Sequence, residues 1–416
     1  MRSNRNIPIV VVSGATGTGK TKLSIEIAKH YDGEIINADA LQIYKGMDIA
    51  TNKATESECQ GIIHHLLGFK NVETLDFTIH DFQKLALDKI DEIRSRNKMP
   101  VLVGGTNYYI ESVLWPKLID VQAKNHMDQC NSMDNIELYE LLKRLDFDSA
   151  VLLHPNDRRK VWRAVSIALN SQQTQSDLLN EQEKTRRFDL NEIVFLWIYS
   201  EVDSLFPRLD KRVDEMIKLG LLNELSEIQV LFEKLCPSKE YTKGIFQAIG
   251  FKEFHDYLNY YGDNEVVRGK ILKECIEKLK IANKQYVKIQ NKWIKNRFLK
   301  KGKETENIPL FKLDSSDVEK WNENVFERSI RIIDDIIKSV PVDNYSAFVK
   351  GLQIQPEPLR CEVTYTPCHR VCDICDSQIF IAQEQWVSHI QSRRHQKRKR
   401  SIKKSKEKNL EIKIAS

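Results

Sequence analysis

The chain has 416 residues, 41% of them hydrophobic and 30% charged, which is the composition of a folded protein of two or three domains and not of a disordered one. No stretch approaches the roughly 18 consecutive apolar residues that cross a bilayer, and the first six residues lack the apolar run of a secretory signal, so we expect no membrane association. The net charge of +5 is unevenly placed, because residues 391–416 hold eleven Lys and Arg against two Glu; such a tail indicates a polyanion partner, a nuclear import signal or a solvated chain end.

The first part of the chain alternates between strand and helix patterns. Strands are predicted at 7–12, 34–37 and 101–103, and helices at 22–30 and around 82–93, from the periodicity of their apolar residues. The first strand leads into a glycine-rich turn, the second ends just before Asp39, and the third stops at Gly104-Gly105-Thr106. This order predicts an α/β fold with a doubly wound parallel sheet, whose ligands bind at the carboxyl ends of the strands.

The remaining chain divides by composition into an insertion, a second half of the core and a C-terminal region. Residues 116–189 are helical and polar without a strand of their own, whereas Ile193–Tyr199 is again an apolar strand, and helical patterns follow at 205–233 and 271–298. Three prolines between 341 and 358 indicate a linker. We therefore predict a discontinuous core of residues 1–115 and 190–340, a helical insertion at 116–189, and a linker, zinc finger and basic tail at 341–416.

A complete P-loop motif stands between the first strand and the first helix. The eight residues fit GxxxxGK[ST]: Gly14, Ala15, Thr16, Gly17, Thr18, Gly19, Lys20 and Thr21. In this motif the glycines allow backbone N–H groups to turn towards phosphate oxygens, while the lysine and the helix dipole add positive charge. Thr21 is placed to hold a Mg²⁺ ion that bridges the phosphates. The sequence therefore predicts a diphosphate site with a P-loop NTPase-like core.

The motif alone does not identify a nucleotide as the ligand. Phosphoryl-transfer enzymes of this class usually carry an Asp for Mg²⁺ at the end of a buried strand, but strand 101–103 ends in Gly-Gly-Thr. ATP hydrolysis is thus disfavoured, and the diphosphate can instead be a leaving group. Two alternatives stay open: a small-molecule or nucleoside kinase, and a nucleic-acid-binding adaptor that uses the P-loop as a regulatory switch.

Two polar residues follow strands that end at the same sheet edge as the P-loop. A carboxylate at Asp39 can act as a general base beside the phosphates, or it can cap a turn. Thr106 points to the same crevice, where its hydroxyl can support the reaction or stabilise its own turn. The pair His64-His65 suggests a metal, but adjacent side chains of an extended segment diverge, which favours a structural role.

Near the C-terminus, the spacing Cys372-x2-Cys375-x13-His389-x5-His395 is typical of a Cys₂His₂ zinc site. Phe380 and the tryptophan at 386 lie between the ligand pairs and can form the small core of such a module. The helix of the two histidines continues into a basic segment, which favours binding to the backbone of a structured RNA stem over base-specific reading of DNA by one finger.

Several sequence blocks together resemble the tRNA dimethylallyltransferase family. Besides the P-loop they are Asn37–Lys45, His64–Leu66, Pro100–Tyr109, His154–Asp157, Arg208–Met216, Gln247–Glu253 and Gln285–Trp293. The resemblance covers about residues 7–298, and the finger resembles that of the eukaryotic, especially fungal, members. It implies transfer of a dimethylallyl group from dimethylallyl diphosphate to N6 of adenosine 37 in tRNA, with Mg²⁺ and with loss of diphosphate, which accounts for the missing Mg²⁺-binding Asp.

The resemblance also implies roles for individual residues. Asp39 is the base that takes the N6 proton and Thr106 supports the same amine. Lys20, Thr21 and Arg212 bind the diphosphate. The flipped-out adenosine is held by the segment Asp39, Ala40, Leu41 and Gln42, as base-modifying enzymes hold extracted bases.

Further tRNA contacts implied by the resemblance are Arg159, Lys160, Arg163, Gln247 and Lys252. Two positions depart from the family pattern. Lys160 keeps the charge of an arginine but not its bidentate fork, and Ile289 stands where the family has an arginine, so Lys284 or Lys288 has to compensate. We expect a monomeric, cytoplasmic protein, with mitochondrial and nuclear locations left open.

Overall fold

The centre of the fold is a seven-stranded sheet with the order β3-β2-β4-β1-β5-β6-β7. The strands are β1 (Ile9–Gly14), β2 (Gly33–Asn37), β3 (His64–His65), β4 (Met99–Gly104), β5 (Ile193–Tyr199), β6 (Leu310–Asp314) and β7 (Gln353–Ile354). Neighbours from β3 to β6 pair in parallel, and β7 is antiparallel to β6. The predicted α/β class and the strands β1, β2, β4 and β5 are confirmed. The sequence analysis missed β3, β6 and β7, of which two have only two residues.

The computed structural model describes residues 7–116, 118, 130, 132–181, 186–237, 240–299, 308–338, 353–354 and 367–402. The chain divides into two units, one of Met1–Pro116 and Lys184–Pro358 and the other of Lys117–Glu183 and Leu359–Ser416. The insertion and the C-terminal region thus fall into one unit, although the sequence division treats them separately. Apart from β7, the predicted linker at 341–358 lies outside the described residues, as do residues 403–416 of the basic tail.

Helices cover both faces of the sheet because successive residues of each strand point to opposite sides. In β1, Ile9 and Val11 belong to one buried cluster, and Val10 and Val12 belong to the other. The helices of this unit are Lys20–His30, Glu56–Cys59, Ile79–Ser95, Asn107–Leu114, Val202–Lys218, Leu221–Leu235, His255–Leu258, Glu265–Trp293 and Glu327–Lys338. Within the described residues, no helix has both the length and the apolar character needed to cross a membrane.

The second unit contains the helical insertion and a small β-hairpin module. The insertion helices are Asn135–Leu145, Phe147–Leu152, Arg158–Asn170 and Gln175–Glu181, and their apolar faces form a separate cluster. The module consists of β8 (Pro367–Cys372), β9 (Gln378–Ala382) and the helix Gln383–Gln391. The predicted helical character of the insertion is confirmed for its described residues.

A histidine of the insertion contacts the hairpin module directly. Nδ1 of His154 accepts a hydrogen bond from the N–H of Asn156 at 3.1 Å, so Nε2 carries the proton and donates to the carbonyl of Ile379 at 3.2 Å. The helix Phe147–Leu152 also packs against β8. The insertion and the module are therefore joined by specific contacts between segments that are far apart in sequence.

Candidate active site and metal cluster

The P-loop connects β1 to the helix that begins at Lys20, as the motif predicts. Gly17 and Gly19 have φ angles of 80° and 96°, which side chains with a Cβ rarely adopt. A Cβ at Gly19 would lie 2.6 Å from the ring of Trp321, and one at Gly17 would lie 2.6 Å from Leu209. Both glycines are therefore required by backbone conformation and by close packing around the loop, which holds the loop at the amino end of its helix, where anions bind.

Two cationic side chains lie at this loop, and no carboxylate of the described residues forms an ion pair with either. Nζ of Lys20 donates to the carbonyl of Ala15 at 2.8 Å, and Nη1 of Arg212 donates to Oγ1 of Thr16 at 3.1 Å. Burial lowers the pKa of Lys20 to about 8; the nearby Asp39 opposes this shift and Arg212 adds to it. Burial likewise lowers the pKa of Arg212 to about 10. A buried pair of like charges is costly without an anion, so this arrangement suits a polyanionic group such as a diphosphate.

Asp39 and Thr106 follow the neighbouring strands β2 and β4, and Asp39 lies near enough to the P-loop lysine to interact with its charge. Oδ1 of Asp39 accepts from the N–H of Leu41 at 3.1 Å, and Oγ1 of Thr106 accepts from the N–H of Ala40 at 3.0 Å. Burial raises the pKa of Asp39, while the Leu41 N–H and Lys20 act against that shift. Asp39 thus stabilises its own turn, and Thr106 bonds to that same turn from the end of β4. The Thr106 hydroxyl keeps its proton to donate, and Asp39 is a stronger base than an exposed aspartate.

Gln290 connects the P-loop to the Gly-Gly-Thr loop and was not recognised as a site residue from the sequence. Its Oε1 accepts from the N–H of Thr16 at 2.9 Å, and its Nε2 donates to the carbonyl of Gly105 at 3.0 Å. Its backbone carbonyl accepts from Nδ2 of Asn107 at 3.3 Å, and Oδ1 of Asn107 accepts from the hydroxyl of Ser13 at 2.7 Å. Gln290 is only 3% exposed. One buried side chain therefore holds the two loops of the site together.

Tyr286, one turn earlier on the same helix, is a second residue that sequence reasoning missed. Its side chain makes hydrogen bonds with Thr106 and Gln290 and lies near Asp39, and burial raises the pKa of its hydroxyl. The phenol therefore stays protonated and adds a polar group beside Asp39. The only sequence signal was its place in the block Gln285–Trp293, which gives no indication of contact with residues near position 39.

The predicted RNA contacts of the second unit lie on one exposed helix face. Arg159, Lys160 and Arg163 are exposed on the helix Arg158–Asn170, whose opposite side is buried. Nζ of Lys160 forms an ion pair with Asp157 at 2.7 Å. The helix thus presents three cations on one face, while their contact with RNA stays a prediction.

The predicted RNA contacts of the first unit lie in two places. Ala40, Leu41 and Gln42 continue from Asp39, and Nε2 of Gln42 donates to the carbonyl of Thr51 at 2.9 Å. The other place contains the exposed Gln247 and Lys252, at short helical turns. Ala40, Leu41 and Gln42 therefore lie at the sheet edge that carries Asp39, while the RNA-binding roles of all five residues stay predictions.

The two adjacent histidines have separate structural roles. Nδ1 of His64 is 2.9 Å from the carbonyl of Ile62, and Nε2 of His65 is 2.7 Å from Oε2 of the buried Glu34. Arg96 binds the same carboxylate through both terminal nitrogens, at 2.7 and 2.9 Å. His65 therefore belongs to a buried ion cluster, which agrees with the interpretation that favoured a structural role.

The four predicted ligands of the C-terminal module converge on one point. Their ligand atoms lie within 4.8 Å of one another. Nδ1 of His395 is 3.5 Å from Sγ of Cys372, 3.6 Å from Sγ of Cys375 and 3.1 Å from Nε2 of His389. Phe380 packs against this cluster. Around a tetrahedral zinc ion, sulfur and nitrogen ligands stand about 3.5 Å apart, so the Cys₂His₂ group can hold such a metal ion.

Comparison with known proteins agrees with the motifs. The model of the family described as IPP transferase matches residues 42–297. A tRNA dimethylallyltransferase of Homo sapiens is 34% identical over 413 residues, which cover 94% of this chain and 85% of the relative. The tRNA dimethylallyltransferase of Saccharomyces cerevisiae is 33% identical over 407 residues, covering 94% and 92%. The resemblance inferred from the sequence blocks is confirmed.

Solved structures show the same similarity in three dimensions. A crystal structure of a eukaryotic dimethylallyltransferase acting on tRNA has a TM-score of 0.82 and 32% identity, covering 97% of this chain and all of that one. The full-length tRNA isopentenylpyrophosphate transferase of Bacillus halodurans has a TM-score of 0.52 and 30% identity, covering 80% and 98%. The eukaryotic structure thus matches nearly the whole chain, including the region beyond the bacterial protein.

Proposed function

This chain belongs to the IPP transferase family, and we propose that it acts as a tRNA dimethylallyltransferase, which moves a dimethylallyl group from dimethylallyl diphosphate to N6 of adenosine 37 in tRNA. The observation that carries the proposal is the pairing, at one sheet edge, of an anion site at Lys20 and Arg212 with a buried carboxylate at Asp39. Such a pairing serves a reaction in which a diphosphate leaves while a proton is removed from the nucleophile.

In this mechanism Asp39 is the base. The N6 lone pair of adenine is delocalised into its ring, so the amine attacks well only if its proton is removed as the new bond forms. The N6–carbon bond forms, the carbon–oxygen bond to the diphosphate breaks with its electron pair going to oxygen, and the N6 proton passes to the Asp39 carboxylate. The N–H of Leu41 orients Oδ1 of Asp39 at 3.1 Å, which leaves Oδ2 to accept the proton. Thr106 and Tyr286 are the neighbouring hydroxyls that position the amine.

The leaving diphosphate is held by the P-loop residues Gly14–Thr21 and by Arg212. Burial lowers the pKa values of Lys20 and Arg212, and a bound anion stabilises their charged forms. The charge that develops on the leaving oxygen is stabilised in turn in this low-dielectric site. The hydroxyl of Thr21 together with diphosphate oxygens is a donor set that suits Mg²⁺, which needs few protein ligands. When bound there, Mg²⁺ supplies positive charge that stabilises the departing diphosphate.

The tRNA is bound by contacts in both units. Ala40, Leu41 and Gln42 hold the target base, Gln247 and Lys252 contact the same RNA, and Arg159, Lys160 and Arg163 bind its phosphates. Zn²⁺ is the ion that fits the Cys372–Cys375–His389–His395 group best, because two thiolates and two imidazoles in tetrahedral arrangement are its usual ligands. This ion has a structural role. We further propose a monomer that works in the cytoplasm, and we leave mitochondrial and nuclear locations open.

The test is one incubation of the full chain with Mg²⁺, dimethylallyl diphosphate and unmodified tRNA, followed by mass analysis of the nucleosides. Dimethylallyl-adenosine is the expected product, and a transcript with guanosine at position 37 is the matched control and should stay unmodified. ATP should be neither consumed nor required. ATP turnover without modified RNA would point to a kinase, and tight RNA binding without any change of mass would point to an adaptor; either outcome overturns the proposal.

A further inference from the structure

An exposed aromatic and cationic patch adjoins the acceptor side of the site. Tyr108 comes two residues after Thr106 and is 44% exposed, although it is a large aromatic side chain in the first turn of a helix. Its ring centroid lies 5.9 Å from that of Trp293, and the guanidinium of Arg297 lies 5.8 Å from the Trp293 ring. We call Tyr108, Trp293 and Arg297 the stacking patch. None of the three has a role in the catalysis described above.

Buried residues beneath the surface hold the side chains of the stacking patch in place. Nη2 of Arg297 is bound at 3.0 Å to Oε1 of Glu111, whose side chain is 3% exposed, while the Arg297 side chain itself is 53% exposed. Trp293 packs against the main apolar cluster under the sheet, and its Nε1 has no hydrogen-bond partner among the described residues. The patch thus offers the exposed Tyr108 ring and Arg297 guanidinium beside the partly buried Trp293 ring, and no described part of the chain covers it fully.

The charge around the patch indicates what kind of partner it meets. Residues 279–303 contain nine Lys and Arg and no Asp or Glu. Of these, Lys280 and Lys284 are paired with aspartates, whereas Lys288, Lys292 and Lys295 are exposed. A surface this basic is unfavourable for an apolar or cationic protein partner and favourable for a polyanion. Aromatic rings beside an arginine plane are the chemistry that binds unstacked bases of RNA loops.

We propose that the stacking patch holds an unpaired nucleobase of the RNA loop, next to the adenosine that is modified. This inference rests on the proposed function. It adds a contact with a neighbouring nucleobase, in addition to the contacts with the target base and with phosphates. Because Tyr108 is two residues from Thr106, a base stacked on it would lie beside the target adenosine that enters the site. Flipping the adenosine out of the loop breaks its stacking with the neighbouring base, and the new stack on the protein compensates for that loss.

The test uses an anticodon stem-loop in which 2-aminopurine replaces the base on one or the other side of the target adenosine. Stacking on Tyr108 quenches the fluorescence of 2-aminopurine, and we expect quenching at one of the two positions with the wild-type chain and with Tyr108→Phe. Tyr108→Leu should relieve the quenching and weaken binding of the stem-loop by about tenfold, since a base–aromatic stack contributes at least this much. The dependence of affinity on salt should be unchanged, because no phosphate contact is removed.

Tyr261, which is 81% exposed, supplies the matched control, because Tyr261→Leu removes an even more accessible ring elsewhere in the same unit and should change neither quenching nor affinity. Absence of quenching in the wild type at both positions overturns the proposal, and so does unchanged affinity of Tyr108→Leu. Such results leave the proposed function standing if the wild type still modifies tRNA. Loss of affinity with a shallower salt dependence would also overturn it, since that identifies a phosphate contact.

Discussion

Replacing Gln290 tests whether the donor and acceptor loops have to be fixed to each other. Gln290→Leu keeps the volume of the side chain but removes its bonds to the Thr16 N–H and the Gly105 carbonyl. Each buried backbone group left unpaired costs about 1–3 kcal/mol, so the loss of both bonds should lower the free energy of unfolding by about 2–6 kcal/mol. A displacement of about 1 Å between the two loops should lower the rate of the chemical step by about 100-fold.

The assay is a single-turnover rate at saturating tRNA and donor, measured beside thermal unfolding. Gln285→Leu is the matched control, because Gln285 is exposed on the same helix; it should change neither quantity. Gln290→Glu keeps an acceptor for Thr16 but sets a buried carboxylate oxygen against the Gly105 carbonyl, so its rate should also fall below that of the wild type. A Gln290→Leu chain that is less stable but reacts at the wild-type rate would refute the coupling of the two loops.

Three further predictions concern separate parts of the molecule. Asp39→Asn should lower turnover by about 10²–10⁴-fold, while the affinity for tRNA should change by no more than a few-fold. Because burial raises the pKa of Asp39, wild-type turnover should be lost on acidification at a higher pH than the pKa of an exposed aspartate implies. A turnover that does not change with pH in this range would contradict the role of Asp39 as the base. Donor affinity should be full below about pH 8 and fall above it, as Lys20 loses its proton, and Lys20→Arg should remove that dependence in a pH series. His154→Ala removes the hydrogen bond to Ile379. It should speed the removal of zinc by a chelator and weaken tRNA binding, while turnover at saturating tRNA should stay within about tenfold of the wild-type value. An unchanged rate of zinc release would contradict a stabilising role of this contact.

Local patterns were sufficient to predict the central strands, the P-loop and the metal ligands. The strands β1, β4 and β5 are buried along nearly their whole length, so they appear in the sequence as short continuous apolar runs. Gly17 and Gly19 have conformations and contacts that only glycine tolerates, which is why a motif can represent them. The spacing of Cys372, Cys375 and the two histidines likewise encodes geometry directly, because a hairpin carries both cysteines and two consecutive helical segments, separated at Ser392, carry the histidines.

Contacts between distant segments could not be predicted in this way. Gln290 reaches Thr16 across 274 positions and Gly105 across 185, and a glutamine in a helix gives no sign of its partner. Strand β6 was missed because Leu310–Asp314 is short and all five of its residues pair with β5, a strand far away in the sequence. The packing of Trp321 against Gly19 could not be predicted from the sequence either, because Trp321 lies in a segment beyond the matched family region.

The C-terminal module shows how such contacts change the interpretation of a motif. The spacing of the metal ligands predicts a zinc finger that folds on its own and is joined to the core by a linker. Loss of such a finger would be expected to weaken RNA binding without affecting the chemical step. The bond from His154 to Ile379 joins residues 225 positions apart and places the hairpin on the insertion, immediately before the helix that carries Arg159 and Arg163. Because zinc modules depend on their metal for folding, loss of zinc removes a support of the insertion as well as the finger itself. We therefore expect the two to act together in binding RNA, and a variant of either should be compared with variants of the other before its effect is assigned to one of them.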